Sequence, residues 1–526
     1  MRDDAMHILF ATSEATPWSK TGGLADVCSA LPKALDRLGR HVTIVTPYYR
    51  CVRNWFLSHE GKEPEALYGV TLGVPIAREV RKAGVRKTTI PGTNVVVYFI
   101  EHNDYFDRDG IYNYQGVDFK DNCDRYAFFS RSVLELIARL EPDVDVVHVN
   151  DWQTALVPVY LDSLYRSCSR FDGGSLFGGS VRPRLSVAGS GVSSSTFDRI
   201  RTVLTIHNLR HQGRFWRGAM DRIGLDWSLF TFDKMEFYGQ LNLLKSGVVF
   251  ADAITTVSPR YAEEIQTEAF GEKLQGVLSG RSSDLVGILN GVDLDEWNPS
   301  KDKYLPARYD VATFKEGKAQ CKKALQEELN LNVDPSTPLL GVVSRFDPQK
   351  GLDFIAEVAG YFIERYNAQF VLLGSGDQEL ADRFRGLAWR YGKNLALRDV
   401  FSVELSHRIE AASDIFLMPS RYEPCGLNQM YSLIYGTLPL VHDVGGLHDT
   451  VVNASNENIA SGVANGFIFY WANADDMRKA LEWALHCYFD RKEDWERMVR
   501  VAMSSDHSWE RSAKQYDELY QKLLSK

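Results

Sequence analysis

Short apolar runs recur along the chain, and most are followed by a segment whose apolar positions step by three and four. Residues 8–11, 95–100, 144–149, 202–206 and 253–257 make one series of runs, and 339–343, 370–373, 415–418 and 438–441 make a second. The runs are β-branched or Leu-rich and barely alternate with polar residues. That pattern predicts strands covered on both faces, as in a parallel sheet. Between them, Leu24, Val27, Leu31, Leu35 and Leu38 mark one face of a helix, with a kink expected at Pro32. Phe129, Val133, Leu136 and Leu140 mark another, and Trp509, Ala513, Tyr516, Tyr520 and Leu523 a last one. Strand and helix in alternation predict an α/β fold with right-handed crossovers.

Two stretches break the rhythm. Residues 168–197 hold six Gly and eight Ser, which predicts a flexible insertion of the kind a surface loop tolerates. Residues 298–336 carry few strand signals and are expected to separate two strand-rich halves. The halves share an echo: Gly22-Gly23-Leu24-Ala25-Asp26 matches Gly445-Gly446-Leu447-His448-Asp449, each after a strand and opening a helix.

A chain of 526 residues has room for two to four domains. With 44% hydrophobic and 25% charged residues it reads as globular, neither fibrous nor disordered. A net charge of −9 disfavours a general nucleic-acid binder, so an anionic ligand needs a few local cations. Seven scattered cysteines without a C-x-x-C pair suggest a reducing compartment. No run approaches 18 apolar residues, and the first residues resemble neither a signal nor a transit peptide, so no membrane partner and a cytoplasmic location (or a plastid one) are expected.

Ligands in open α/β sheets bind beyond the carboxyl ends of the strands. Polar and glycine residues fall there every time. Glu14 and Lys20-Thr21-Gly22-Gly23 follow the first run, Asn150-Asp151-Trp152 the third, and His207-Asn208 the fourth. Asn290, Arg345 with Lys350, Gly374-Ser375-Gly376, Arg421-Tyr422-Glu423 with Cys425-Gly426, and Gly445-Gly446 follow later ones. The recurrence points to one composite site in a cleft between domains. The glycine turn after Lys20 can offer N–H groups to an anion, or be a plain strand-to-helix turn. Arg345 and Lys350 before a helix oppose its dipole unless an anion sits there. Taken alone, Glu423 reads as a helix cap and His207 as a satisfied sheet-end histidine. His207 and His211 have zinc spacing but lack the Glu of H-E-x-x-H, and the D-x-D pairs are weak, so no metal and no cofactor is expected.

Lys20-Thr-Gly-Gly-Leu-Ala-Asp26, Gly287-Ile-Leu-Asn-Gly-Val-Asp293, Val343-Ser-Arg345 with Gln349-Lys350-Gly351, and Pro419-Ser-Arg-Tyr-Glu-Pro-Cys-Gly-Leu427 together resemble the glycogen/starch synthase family. The resemblance implies a retaining glucosyltransferase of two Rossmann-like domains (GT-B). Residues 1–290 would form the acceptor domain, 291–505 the nucleotide-sugar domain, and 506–526 a helix returning to the first. It implies ADP-glucose as donor and an α-1,4-glucan, glycogen or starch, as acceptor; the oligomeric state stays open. Lys20, Thr21, Gly22 and Gly23 would face the donor, and Arg345 and Lys350 would neutralise its phosphates. Glu423, Cys425, Gly426 and Leu427 would hold the glucose, and His207 would bond it near the reacting carbon beside Asp151 and Asn208. Asn290 would line the cleft, Phe401 would lie on the adenine, and Gly445, Gly446 and Leu447 would touch the phosphates or ribose. Val444 and Phe346 depart from the family's commoner Thr and Leu, and Tyr431 stands where other transferases carry a second glutamate.

Overall fold

The computed structural model describes residues 6–166, 194–400 and 402–525. Phe401 and residues 168–193 of the Gly/Ser-rich stretch lie outside them, while the end of that stretch opens the helix Ser194–Arg199. The chain forms two compact units. One holds Met1–Val257, Ala262–Ile288 and Ser512–Lys526; the other holds Ser258–Tyr261 and Leu289–Arg511.

The first unit is built on a nine-stranded sheet. Its strands run in the order Leu285–Gly287, Ala253–Thr256, Arg201–Ile206, Val146–Asn150, His7–Ala11, His41–Pro47, Val96–Glu101, Glu79–Thr89, Glu65–Ile76. The first seven pair in parallel, and the last two form an antiparallel hairpin on the edge. The purely parallel sheet expected from the apolar runs is therefore extended by two strands. The hairpin gave no apolar run because its faces differ: Ala83 and Val85 are buried on one, while Val80, Lys82 and Arg86 lie on the other. His41–Pro47 is interrupted by Thr43 and Thr46, yet both are buried, and Thr43 bonds the His7 ring at 3.1 Å. The helix Gly23–Arg37 runs through Pro32 without a break.

Chain order reverses beside the first strand. From His7–Ala11 the sheet grows one way through His41–Pro47, then resumes on the other side with Val146–Asn150. The second unit repeats the device in a six-stranded, all-parallel sheet: Leu395–Arg398, Gln369–Leu373, Leu339–Val343, Ile415–Met418, Leu438–His442, Phe467–Phe469. Its reversal lies between Leu339–Val343 and Ile415–Met418. Such switch points open a crevice at the strands' carboxyl ends.

Residues 298–336 lie, as expected, between the last strand of the first sheet and the first strand of the second, but they belong to the second unit. They carry the helix Phe314–Glu328, and Tyr309, Phe314, Leu325 and Leu331 enter the second unit's core with Phe362, Phe370 and Ile415. The terminal helix Trp509–Leu524 docks in the first unit. Tyr520 Oη meets His148 Nδ1 at 2.7 Å, and Arg40 binds both carboxylate oxygens of Asp517 at 2.6 and 2.8 Å.

Candidate active site

In the first unit, the two strands at the switch point, His7–Ala11 and Val146–Asn150, lead into Glu14 and Asp151. Glu14 is only 2% exposed. Its carboxylate accepts from Thr21 N at 2.5 Å, Thr21 Oγ1 at 2.6 Å, Gly22 N at 3.3 Å and Tyr112 Oη at 2.6 Å. The N–H groups expected to await a ligand anion are thus held by the protein's own carboxylate. Lys20 reaches Asp26 at 2.7 Å and keeps half its side chain in solvent.

Asp151 adopts the left-handed conformation (φ 55°), a strained choice for a non-glycine residue and one that clusters at functional sites. Its Oδ1 accepts from His207 N at 2.8 Å, and Asn208 N also binds the carboxylate. Burial pushes the Asp151 carboxyl up to about 7, with Glu14 adding to the rise and the two N–H groups opposing it. Asn150 Oδ1 lies 2.9 Å from His207 Nε2. Burial holds the imidazole down to about 3, so His207 is neutral at physiological pH.

In the second unit, Lys350 and Glu423 come from the two strands flanking the other switch point and meet at 2.6 Å. Glu423 is 6% exposed, and the same oxygen accepts from Ser420 Oγ at 3.0 Å. The cap reading of Glu423 is overturned: its carboxylate binds a lysine and a serine rather than helix N–H groups. The anion required by Lys350 near a helix start is this carboxylate. Arg345 is exposed and forms no ion pair among the described residues.

Around this pair the loops are fixed by backbone contacts. Arg421 N donates to Gln349 O at 2.8 Å, and Gln349 Nε2 donates to Tyr422 O at 3.1 Å. Arg421 forks onto Asp353 at 2.9 and 2.7 Å. Gly446 N donates to Glu423 O at 3.1 Å. A Cβ on Gly445 (φ 45°) would lie 1.9 Å from Glu423 O, and one on Gly446 2.0 Å from Cys425 O. The glycine pair is thus required by the close approach of its own chain. Asn290 bonds Cys425 through backbone and side chain, and burial pushes the Cys425 thiol up to about 12. Gly426 and Leu427 lead into the helix Asn428–Ile434, whose Asn428 Nδ2 bonds Val343 O at 2.8 Å.

A family profile described as the starch synthase catalytic domain matches residues 7–176 and 188–280, and one described as glycosyl transferases group 1 matches 326–501. The glycogen synthase of Thermotoga maritima is 42% identical over 521 residues, covering 99% of both chains. That of an Anaeromyxobacter species is also 42% identical over 523 residues, with 99% of this chain covered and 100% of the other. The chain belongs to the glycogen/starch synthase family. The catalytic domain of starch synthase IV from Arabidopsis thaliana, solved with ADP and acarbose, superposes with a TM-score of 0.84 at 32% identity, covering 99% of this chain and 100% of the other. Sucrose-phosphate synthase from Thermosynechococcus elongatus, at 17% identity and a TM-score of 0.57, shares the fold.

Membership makes the chain a glucosyltransferase of the two-Rossmann type, as the motifs implied. Within this family member the structure gathers Glu14, Thr21, Gly22, Asp151, His207 and Asn208 in one unit, and Asn290, Lys350, Glu423, Cys425, Gly445 and Gly446 in the other. Phe401 lies outside the described residues. Among those residues no group of three or more His, Cys, Asp or Glu is placed to hold a metal ion, and no helix is long and apolar enough to cross a membrane. Sequence reasoning gave no role to Asn150, Tyr112 or Ser420, and it named Glu14 only for following a strand.

Proposed function

We propose that this glycogen/starch synthase transfers glucose from ADP-glucose to the non-reducing end of an α-1,4-glucan. In the transfer, the bond from glucose C1 to the phosphate oxygen breaks and ADP leaves with the electron pair. The acceptor 4-hydroxyl oxygen bonds C1 on the same face, and its proton passes to the departing phosphate oxygen. The developing charge on the diphosphate calls for fixed cations. Arg345 and Lys350 supply them, and Lys20 adds a third. Such preorganised charge is typically the largest catalytic contribution. Glu423 accepts hydrogen bonds from glucose hydroxyls through the oxygen lone pairs that Lys350 and Ser420 leave over. His207 receives the sugar, with Asp151 holding the histidine backbone. Among the described residues Glu423 is the one carboxylate paired with Lys350, and Arg345 pairs with none, which favours front-face retention without a glycosyl-enzyme.

One observation carries the reading. The lysine–carboxylate pair stands at the switch point of the second unit, in a chain 32% identical to a starch synthase catalytic domain solved with ADP and acarbose. The test is glycogen elongation with radiolabelled ADP-glucose or UDP-glucose, with and without EDTA. α-Linked product, a preference for ADP-glucose and activity kept in EDTA are expected. β-Linked product, preference for UDP-glucose, or activity that EDTA abolishes and a metal restores would each overturn the corresponding part.

A further inference from the structure

Asn150 ends the strand beside the first-unit switch point and is 1% exposed. Its amide group has two different neighbours. One is the backbone carbonyl of Ala11, which receives Nδ2 at 3.2 Å. A carbonyl only accepts, so the amide nitrogen must face Ala11, and the amide oxygen must face the other way. The other neighbour is His207 Nε2, at 2.9 Å from Oδ1. An amide oxygen also only accepts, so Nε2 must carry the hydrogen. A neutral imidazole has one N–H, so Nδ1 is left with the lone pair.

The backbone fixes the rest. Asn150 N donates to Thr154 Oγ1 at 2.7 Å, and the same hydroxyl donates back to Asn150 O at 2.8 Å, which holds the residue against rotation at the strand end. His207 N is held by Asp151 Oδ1 at 2.8 Å. Adjacent residues thus secure the histidine twice, Asp151 by its main chain and Asn150 by its ring. The titratable groups around the ring are Asp151 and His148, and His148 is itself kept neutral by burial.

We propose that Asn150 is a positioning residue: it fixes His207 as the Nε2–H tautomer, so that Nδ1 can only accept a hydrogen bond, from a donor such as a sugar hydroxyl. The inference rests on the reading of His207 as a residue that meets the substrate. The opposite tautomer would present an N–H there and donate to the hydroxyl oxygen, leaving the hydroxyl hydrogen without this acceptor, so an unfixed ring makes the productive contact only part of the time.

The tautomer is visible by nitrogen NMR of protein labelled with 15N-histidine, with the signal among the twelve histidines assigned by difference from His207→Gln. The wild type should show a protonated Nε2 and a bare Nδ1 at neutral pH. Asn150→Ala should show mixed tautomers and a kcat lower by about tenfold to a hundredfold, as for other residues that orient a functional histidine. Its donor KM should stay within roughly threefold, because the contact is made as the sugar reacts. Asn150→Asp keeps an acceptor facing Nε2 and should restore the tautomer signal and part of kcat. An Nδ1–H or doubly protonated ring in the wild type overturns the proposal even if Asn150→Ala does not fold. So does Asn150→Ala with an unchanged signal and kcat while His207→Ala is inactive. Wild-type kcat in His207→Ala would instead remove the reading on which the inference rests.

Discussion

Lys350 and Glu423 carry two demands at once: each partner neutralises the other inside the protein, and each keeps capacity for a ligand. Breaking such a pair leaves a buried charge alone, which is worse than removing both. Lys350→Met should lower stability by about 3 kcal/mol and kcat by about a hundredfold. The double variant Lys350→Met/Glu423→Gln should regain most of the stability and none of the activity. Urea unfolding and steady-state kinetics on both variants check this, and an active double variant would remove the pair from the chemistry. Lys350, Glu423 and His207 could be named as candidates from the sequence because each sits in a dense motif at a strand end. Glu14 was given no role, since a lone carboxylate after a strand has no spacing signature, and its partner Tyr112 comes 98 positions later. Asn150 was named only for its place at a strand end, because its role lies in a carbonyl 139 residues earlier and a ring 57 residues later.

At the scale of elements, apolar runs marked most strands covered on both faces, and missed His41–Pro47, which two buried threonines interrupt, and the edge hairpin, which is covered on one face. The edge hairpin Glu65–Ile76 and Glu79–Thr89 buries only alternate residues, Leu72, Val74 and Ile76 on one strand and Ala83 and Val85 on the other, so it shows no continuous apolar run. The segment 298–336 looked like a linker because its core residues are spread through turns and one helix. The terminal helix was plain from its 3.6-residue period, but its partner was not. That partner is His148 in the central sheet, whose other nitrogen meets Thr205 Oγ1 at 2.5 Å. Tyr520→Phe removes the hydroxyl and leaves a buried ring nitrogen without its bond. A loss of about 1–3 kcal/mol is expected, with kcat unchanged, since the helix lies outside the residues assigned to the reaction. A thermal melt and a glycogen assay on the variant decide it; lost activity at full stability would give the helix a catalytic role.

Across the whole molecule, buried titratable groups set the response to acid. Burial is the first cause that lowers His148 and His207 to about 3 and His7 and His507 to about 4. Each binds its proton less tightly folded than unfolded, so the stability they contribute is present above about pH 6.5 and lost as the pH falls toward those values. Asp151 acts oppositely: its raised value gives a contribution present below about pH 4 and lost as pH rises to about 7. The four histidines should make urea midpoints fall below about pH 6.5, against Asp151 and the carboxyls of Glu410, Glu135, Glu141 and Asp124, which burial also raises. Asp151→Asn should steepen that fall, because it deletes one opposing contribution; an unaltered slope would show that Asp151 ionises normally. A different kind of consequence follows from the order in which the units are threaded. Residues 512–526 complete the first unit, yet they follow the whole of the second in the chain. During translation the ribosome therefore delivers the first sheet early and its last helix late. Until then His148 lacks its tyrosine and Arg40 its aspartate. The nascent enzyme must wait with an unfinished amino-terminal unit while the carboxy-terminal one is made, and synthesis of the final helix closes both at nearly the same moment.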